Sequence, residues 1–189
     1  MAGIGSSGKT NALLYLLANF RGFCPNVEIY TYGLVDTVQE FANKELNAVE
    51  ISSIDHLSSK KNSIIILDEA HLFGLSDKRK TEEINNFVAF INHSNNYCIV
   101  STASLREFNS HLGGIVTKWL CKSIRQDQLI NGSPLKRAVQ NYRGRFKRLN
   151  DIILPLGKLL VLSDQREIIY DIPYLPQIDT KAALPDLFA

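Results

Sequence analysis

Apolar positions fall in short blocks whose spacing alternates between helix and strand along the chain. Leu13, Leu14, Leu16, Leu17 and Phe20 give residues 11–20 a broad apolar helical face, with Gly22 and Pro25 as its expected stop. Residues 26–32 then alternate Val27, Ile29 and the tyrosines as a strand. A short helix over 35–43, a minor strand over 49–51 and a turn-like Ser/Lys segment lead to Ile64, Ile65, Ile66 and Leu67. Four apolar residues in a row predict a parallel strand buried on both faces. Beyond a glycine- and charge-bearing loop over 72–80, Ile84, Phe87, Val88 and Ile91 recur at helical spacing and read as core packing. Tyr97–Val100 reads as a strand with a polar tip, Ser101-Thr102-Ala103-Ser104, before a helix start at 105–109. Residues 117–124 predict another strand, Ser133-Pro134 the start of a helix, and 159–162 with 168–172 a terminal hairpin. The alternation is that of an α/β fold with a mostly parallel sheet flanked by helices. The domain is expected to occupy 1–172, with an extended tail over 173–189 that carries three prolines.

Two stretches carry chemistry. Gly3-Ile4-Gly5-Ser6-Ser7-Gly8-Lys9-Thr10, followed by Asn11 and the first helix, has the spacing of a phosphate-binding loop. Its glycines let backbone N–H groups turn inward around phosphates, Lys9 reaches the β and γ phosphates, and the Thr10 hydroxyl ligates Mg²⁺. The second stretch is Ser63-Ile-Ile-Ile-Leu-Asp-Glu-Ala-His71, in which a buried strand ends in two acids. Ligands of open α/β sheets sit at that edge, so Asp68 and Glu69 arrive beside the loop. Asp68 is expected to hold Mg²⁺ through its water shell and Glu69 to polarise the water that attacks the γ phosphate. In a parallel sheet Ser101 and Thr102 lie next to Glu69, where they either sense the γ phosphate or cap the following helix.

Composition narrows the setting. A chain of 189 residues buries a substantial core without staples. Its three cysteines, Cys24, Cys98 and Cys121, lack metal-type spacing and read as reduced thiols, two of them in strand-like runs. His56, His71, His93 and His111 are scattered, which argues against a structural metal. No signal or membrane-spanning run is visible. The net charge of +2 hides an uneven distribution: residues 117–150 hold nine Lys/Arg and one acid, Asp127. There Lys136, Arg137, Arg143, Arg145, Lys147 and Arg148 flank Tyr142 and Phe146, a mixture that fits either nucleic-acid phosphate contacts or a solvated helix face.

Together the two motifs resemble the Walker A and Walker B elements of P-loop NTPases, in the RecA-like branch with a glutamate after the Walker B aspartate. The order of a short P-loop core, a Ser-Thr strand end, a strand followed by Arg125 and a terminal hairpin is similar to the FtsK/HerA superfamily, particularly its compact viral genome-packaging ATPases. That resemblance implies an ATP-hydrolysing, Mg²⁺-dependent motor that translocates double-stranded DNA as a homo-oligomeric ring. It also implies Arg125 as the finger offered to a neighbouring subunit, with Arg106, Arg143 and Arg145 as rivals. Capsid or membrane-associated virion proteins would be its partners, and the host cytoplasm or the virion its location. Where the family commonly carries a sensor glutamine this chain has Ala103.

Other readings stay open. The chain could use ATP to order an assembly with little turnover, as a switch. Leu67-Asp-Glu-Ala-His71 also spells the signature of two-lobed DEAH helicases, of which this would be a fragment, and filamentous-phage assembly ATPases and lid-bearing AAA+ modules are more distant relatives. The strand that normally precedes a phosphate loop is missing before Gly3. Either the chain starts downstream of an apolar, β-branched strand, which is the expectation, or the sheet lacks that member.

Overall fold

A computed structural model describes residues 8–70, 78–91, 93–103, 112, 116–122, 158–163 and 167–172. Helix α1 (Lys9–Phe23) is followed by strand β1 (Glu28–Tyr32), helix α2 (Asp36–Leu46), strand β2 (Ala48–Glu50) and a 3₁₀ helix (Ile54–Ser59). Strand β3 (Ser63–Leu67), helix α3 (Lys78–Ile91) and strands β4 (Tyr97–Val100), β5 (Lys118–Cys121), β6 (Lys158–Ser163) and β7 (Glu167–Asp171) complete the described elements.

One parallel sheet has the order β2-β1-β3-β4, and one antiparallel sheet the order β5-β6-β7. The hydrophobic spacing explains the layering. Along β3, Ile64 and Ile66 join α1 and α2 in one apolar cluster, whereas Ile65 and Leu67 join α3 and the 3₁₀ helix in another. All five β3 residues are buried, as the unbroken apolar run predicts for a central strand. The buried face of α1 is Ala12, Leu13, Leu14 and Leu17, and that of α3 is Ile84, Phe87 and Ile91. Arg21 of α1 ties the helical layer to its neighbours, donating to the carbonyls of Leu46, Pro25 and Val27. At the N-terminal edge of the parallel sheet the Asn96 side chain accepts from the Ser63 amide at 2.9 Å and donates to the Lys60 carbonyl at 2.8 Å. That clasp sets β3 against β4 at the end remote from the acids.

The fold matches the expected P-loop NTPase class, with differences in detail. Gly22 lies inside α1 instead of ending it, because nothing crowds its position and helix continuation costs only its weak propensity. The Ser/Lys segment contains the 3₁₀ helix, opened by Ser53, whose hydroxyl accepts from the Asp55 amide at 3.3 Å. Helix α3 starts at Lys78, within the stretch read as loop. The strand at 117–124 is shorter, Lys118–Cys121, and pairs antiparallel with β6, so it joins the hairpin strands and not β4. The expected helix starts at 105–109 and Ser133 and the tail over 173–189 lie outside the described residues.

Candidate nucleotide site

The start of α1 supplies the first part of the site. Gly8 occupies the left-handed region at φ 79°, which glycine adopts without steric cost, and the helix opens on Lys9. Its N-cap residue, Gly8, has no side chain to cap it, and its first turn carries no acid. The helix dipole and the first amides therefore favour an anion here. Lys9 and Asn11 are buried, and Thr10 is half-buried. Gly3, Ile4, Gly5, Ser6 and Ser7 lie outside the described residues.

The second part is the C-terminal edge of β3. Asp68 is buried, and its amide donates to the Tyr32 carbonyl at the end of β1 at 2.9 Å. One residue on, the backbone turns sharply: Glu69 has φ 48°, and its amide donates to Asp68 Oδ1 at 3.0 Å. Among the described residues the other non-glycine positions with positive φ are Asn47, Asn62 and Asn95. Asparagine tolerates that region through local hydrogen bonding, whereas a glutamate there carries strain on the order of 1–3 kcal/mol. The Ala70 amide then donates to the Ser101 carbonyl at 2.8 Å, and the Ser101 amide to the Leu67 carbonyl at 2.8 Å. These bonds lock the tips of β1, β3 and β4 together and hold the acid pair beside Ser101.

Ser101 and Thr102 are both buried. The Ser101 hydroxyl is enclosed and has no hydrogen-bond partner among the described residues. An enclosed hydroxyl without a partner costs about 1–3 kcal/mol, so its position calls for a polar ligand or a water. The helix terminus at Gly8 and, at the β3 edge, two acids and this hydroxyl are the kinds of group that a nucleoside triphosphate with a hard, oxygen-seeking cation requires.

The Glu69 amide bonds Asp68 Oδ1, and the residues on either side of the pair, Leu67 and Ala70, bond the Ser101 backbone, while Gly8 and Lys9 stand at the start of α1. Arg125, Lys136, Arg137, Arg143, Arg145, Lys147 and Arg148 lie outside the described residues, as does Arg106. Sequence reading missed the Tyr32 carbonyl, which fixes Asp68 through the backbone and so leaves no side-chain signature. It also missed Lys122, fully buried just past β5, whose ammonium donates to the Lys158 carbonyl and is held below its ordinary pKa by burial. A lone lysine after an apolar run gave no signal of that burial.

No protein-family model matches the chain, and no curated protein does. Two solved structures match nearly end to end, each covering 92% of this chain and 96% of the other at 14% identity. One is B204, the DNA-packaging ATPase from Sulfolobus turreted icosahedral virus, with a TM-score of 0.63. The second is the genome packaging NTPase B204 from Sulfolobus turreted icosahedral virus 2, in complex with ATP-gammaS, with a TM-score of 0.60. The chain thus has a P-loop NTPase-like fold, similar across 92% of its length to these two viral packaging NTPases.

Proposed function

We propose that this protein is an ATPase of the genome-packaging type, which couples ATP hydrolysis to the translocation of double-stranded DNA. The observation that carries the reading is the hydrogen-bonded tip at which Glu69, in a positive-φ conformation, and a buried Asp68 stand beside the Ser101 hydroxyl, which has no partner among the described residues. The near end-to-end likeness to two packaging NTPases supports it.

Bound MgATP supplies the reactive γ phosphate and a cation that neutralises its developing charge. The chain's own residues do the rest. Lys9 and the backbone of 3–8 hold the phosphates, and Asn11 follows them on α1. Thr10 and, through water, Asp68 would hold the cation. The Glu69 carboxylate would orient the attacking water and take its proton. Ser101 and Thr102 would sense the γ phosphate, in the role of the sensor that Ala103 does not provide. Arg125, from a neighbouring subunit of a ring, completes charge neutralisation, and the basic residues of 136–148 grip the DNA backbone. The ring meets capsid or membrane-associated virion proteins in the host cytoplasm or the virion.

The discriminating experiment compares wild type with Glu69→Gln. Hydrolysis should fall by about 10²-fold or more while ATP affinity stays within a few-fold, because the amide keeps the size and loses the base. Equal turnover in the two proteins contradicts the motor and favours a nucleotide switch.

A further inference from the structure

Helix α2 carries a polar group where its packing calls for an apolar one. Val38, Phe41, Ala42 and Leu46 of α2 join Ile29, Ile64 and Ile66 in one apolar cluster. Between the same elements Gln39 of α2 is 4% exposed, and Thr31 of β1 is fully buried. The Thr31 hydroxyl donates to Gln39 Oε1 at 2.7 Å, and Gln39 Nε2 donates to Asn43 Oδ1, one helical turn on, at 2.5 Å. Turning both amides over together keeps these contacts with donor and acceptor exchanged, and Asn43 then also donates to the Ala48 carbonyl of β2 at 2.9 Å. In either arrangement one chain of bonds ties α2 to β1. Packing alone does not require it, because replacing both partners of a buried hydrogen bond by apolar groups of like shape is nearly neutral. What a satisfied buried network adds is rigidity and a single arrangement.

The bond between Thr31 and Gln39 falls beside the acid edge. Thr31 is in register with Ile66 of β3, and Tyr32 with Leu67. The ladder runs one step further, since the Asp68 amide donates to the Tyr32 carbonyl at 2.9 Å. Side chains alternate along a strand, so Asp68, two residues past Ile66, continues the face that Ile64 and Ile66 present to α1 and α2. Thr31 is on that face too, because it bonds to α2. Tyr32 packs its ring against the opposite cluster. On the α2 face Thr31 is therefore the last side chain of β1, one residue before the carbonyl from which Asp68 hangs.

We infer that Thr31 and Gln39 are positioning residues for Asp68: their hydrogen bond fixes the tip of β1 against α2, and through the Tyr32 carbonyl it sets where the Asp68 carboxylate stands. They act through the backbone and not by contact with the cation. The inference rests on the proposed function for what the carboxylate holds, and on the geometry for where it is held.

The test makes two substitutions at one position of the full chain. Thr31→Val keeps the shape and removes the donor, whereas Thr31→Ser keeps the donor. Backbone amide exchange is read residue by residue without nucleotide, so that outcome is independent of hydrolysis. Thr31→Val should speed exchange of the Asp68 amide about tenfold and leave Ile64, Ile65 and Ile66 unchanged, and Thr31→Ser should alter none of them. Faster exchange along all of β3 shows a purely structural bond and overturns the inference, as does an unchanged Asp68 amide. The second readout is the Mg²⁺ midpoint of ATP binding, followed by fluorescence titration. It should rise about tenfold in Thr31→Val, with metal-free ATP affinity unchanged, and keep the wild-type value in Thr31→Ser. A midpoint that does not move in Thr31→Val overturns the inference even where the amide loosens. If wild type binds ATP with no Mg²⁺ dependence, the proposed function fails, and the exchange comparison alone decides whether Thr31 positions Asp68. Should Thr31→Val fail to fold, Gln39→Met removes the same bond from the helix side and is read in its place.

Discussion

Single residues at the tip of β3 combine cost and purpose. Glu69 accepts a backbone conformation that the other non-glycine positive-φ sites among the described residues reserve for asparagine, and Ser101 keeps an enclosed hydroxyl without a partner there. Ser101→Ala should leave the nucleotide-free protein as stable as wild type, or up to about 2 kcal/mol more stable, since the unsatisfied group is removed. It should also lower kcat. Thermal melts paired with steady-state turnover check both, and a large loss of stability with normal kcat would show a purely structural hydroxyl. The thiols make a second contrast. Burial pushes Cys98 and Cys121 from the ordinary 9.0 up to about 12, while Cys24 is exposed. Iodoacetamide at neutral pH should therefore label Cys24 alone in the native protein and all three cysteines after unfolding, as counted by intact mass. Because the folded values are raised, the stability they confer is fully present below about 9 and is lost as the pH climbs through about 12.

At the scale of elements, legibility followed the strength of local signals. The Ile64–Leu67 run could be little else than a buried strand, and the Ile84, Phe87, Ile91 stripe little else than one face of a helix. The acids were readable because a parallel strand has a defined ligand edge, and Ser101 because β4 had to end there as well. The 3₁₀ helix was not readable, since Ile-Asp-His-Leu-Ser-Ser has no period and its cap is a single serine. Gly22 was read as a stop because glycine usually is one; its open surroundings, which let α1 run on to Phe23, are a tertiary fact. That misreading carries a prediction. Gly22→Ala should stabilise the protein by about 0.5–1 kcal/mol, measured by denaturant midpoint, because it removes backbone entropy inside a helix and meets no neighbour. The pairing of β5 with β6 was likewise hidden, as partner choice depends on residues far apart in sequence.

For the whole molecule, the proposed function requires a hydrolytic site on one edge of a parallel sheet and a basic segment that engages DNA. The first was read from local motifs, and in the fold the residues on either side of the acid pair, Leu67 and Ala70, bond the Ser101 backbone. The second was legible only as charge, nine Lys/Arg against one acid over 117–150, and its residues from 136 to 148 lie outside the described part of the chain. The coupling between them is therefore the central claim. Its most direct measurement is steady-state ATP hydrolysis by the 189-residue chain, with and without double-stranded DNA, at low and high salt. The account predicts that DNA raises turnover several-fold at about 50 mM salt and that the stimulation fades by about 200 mM, as phosphate contacts are screened. Hydrolysis that is the same with and without DNA at both salt concentrations would contradict it.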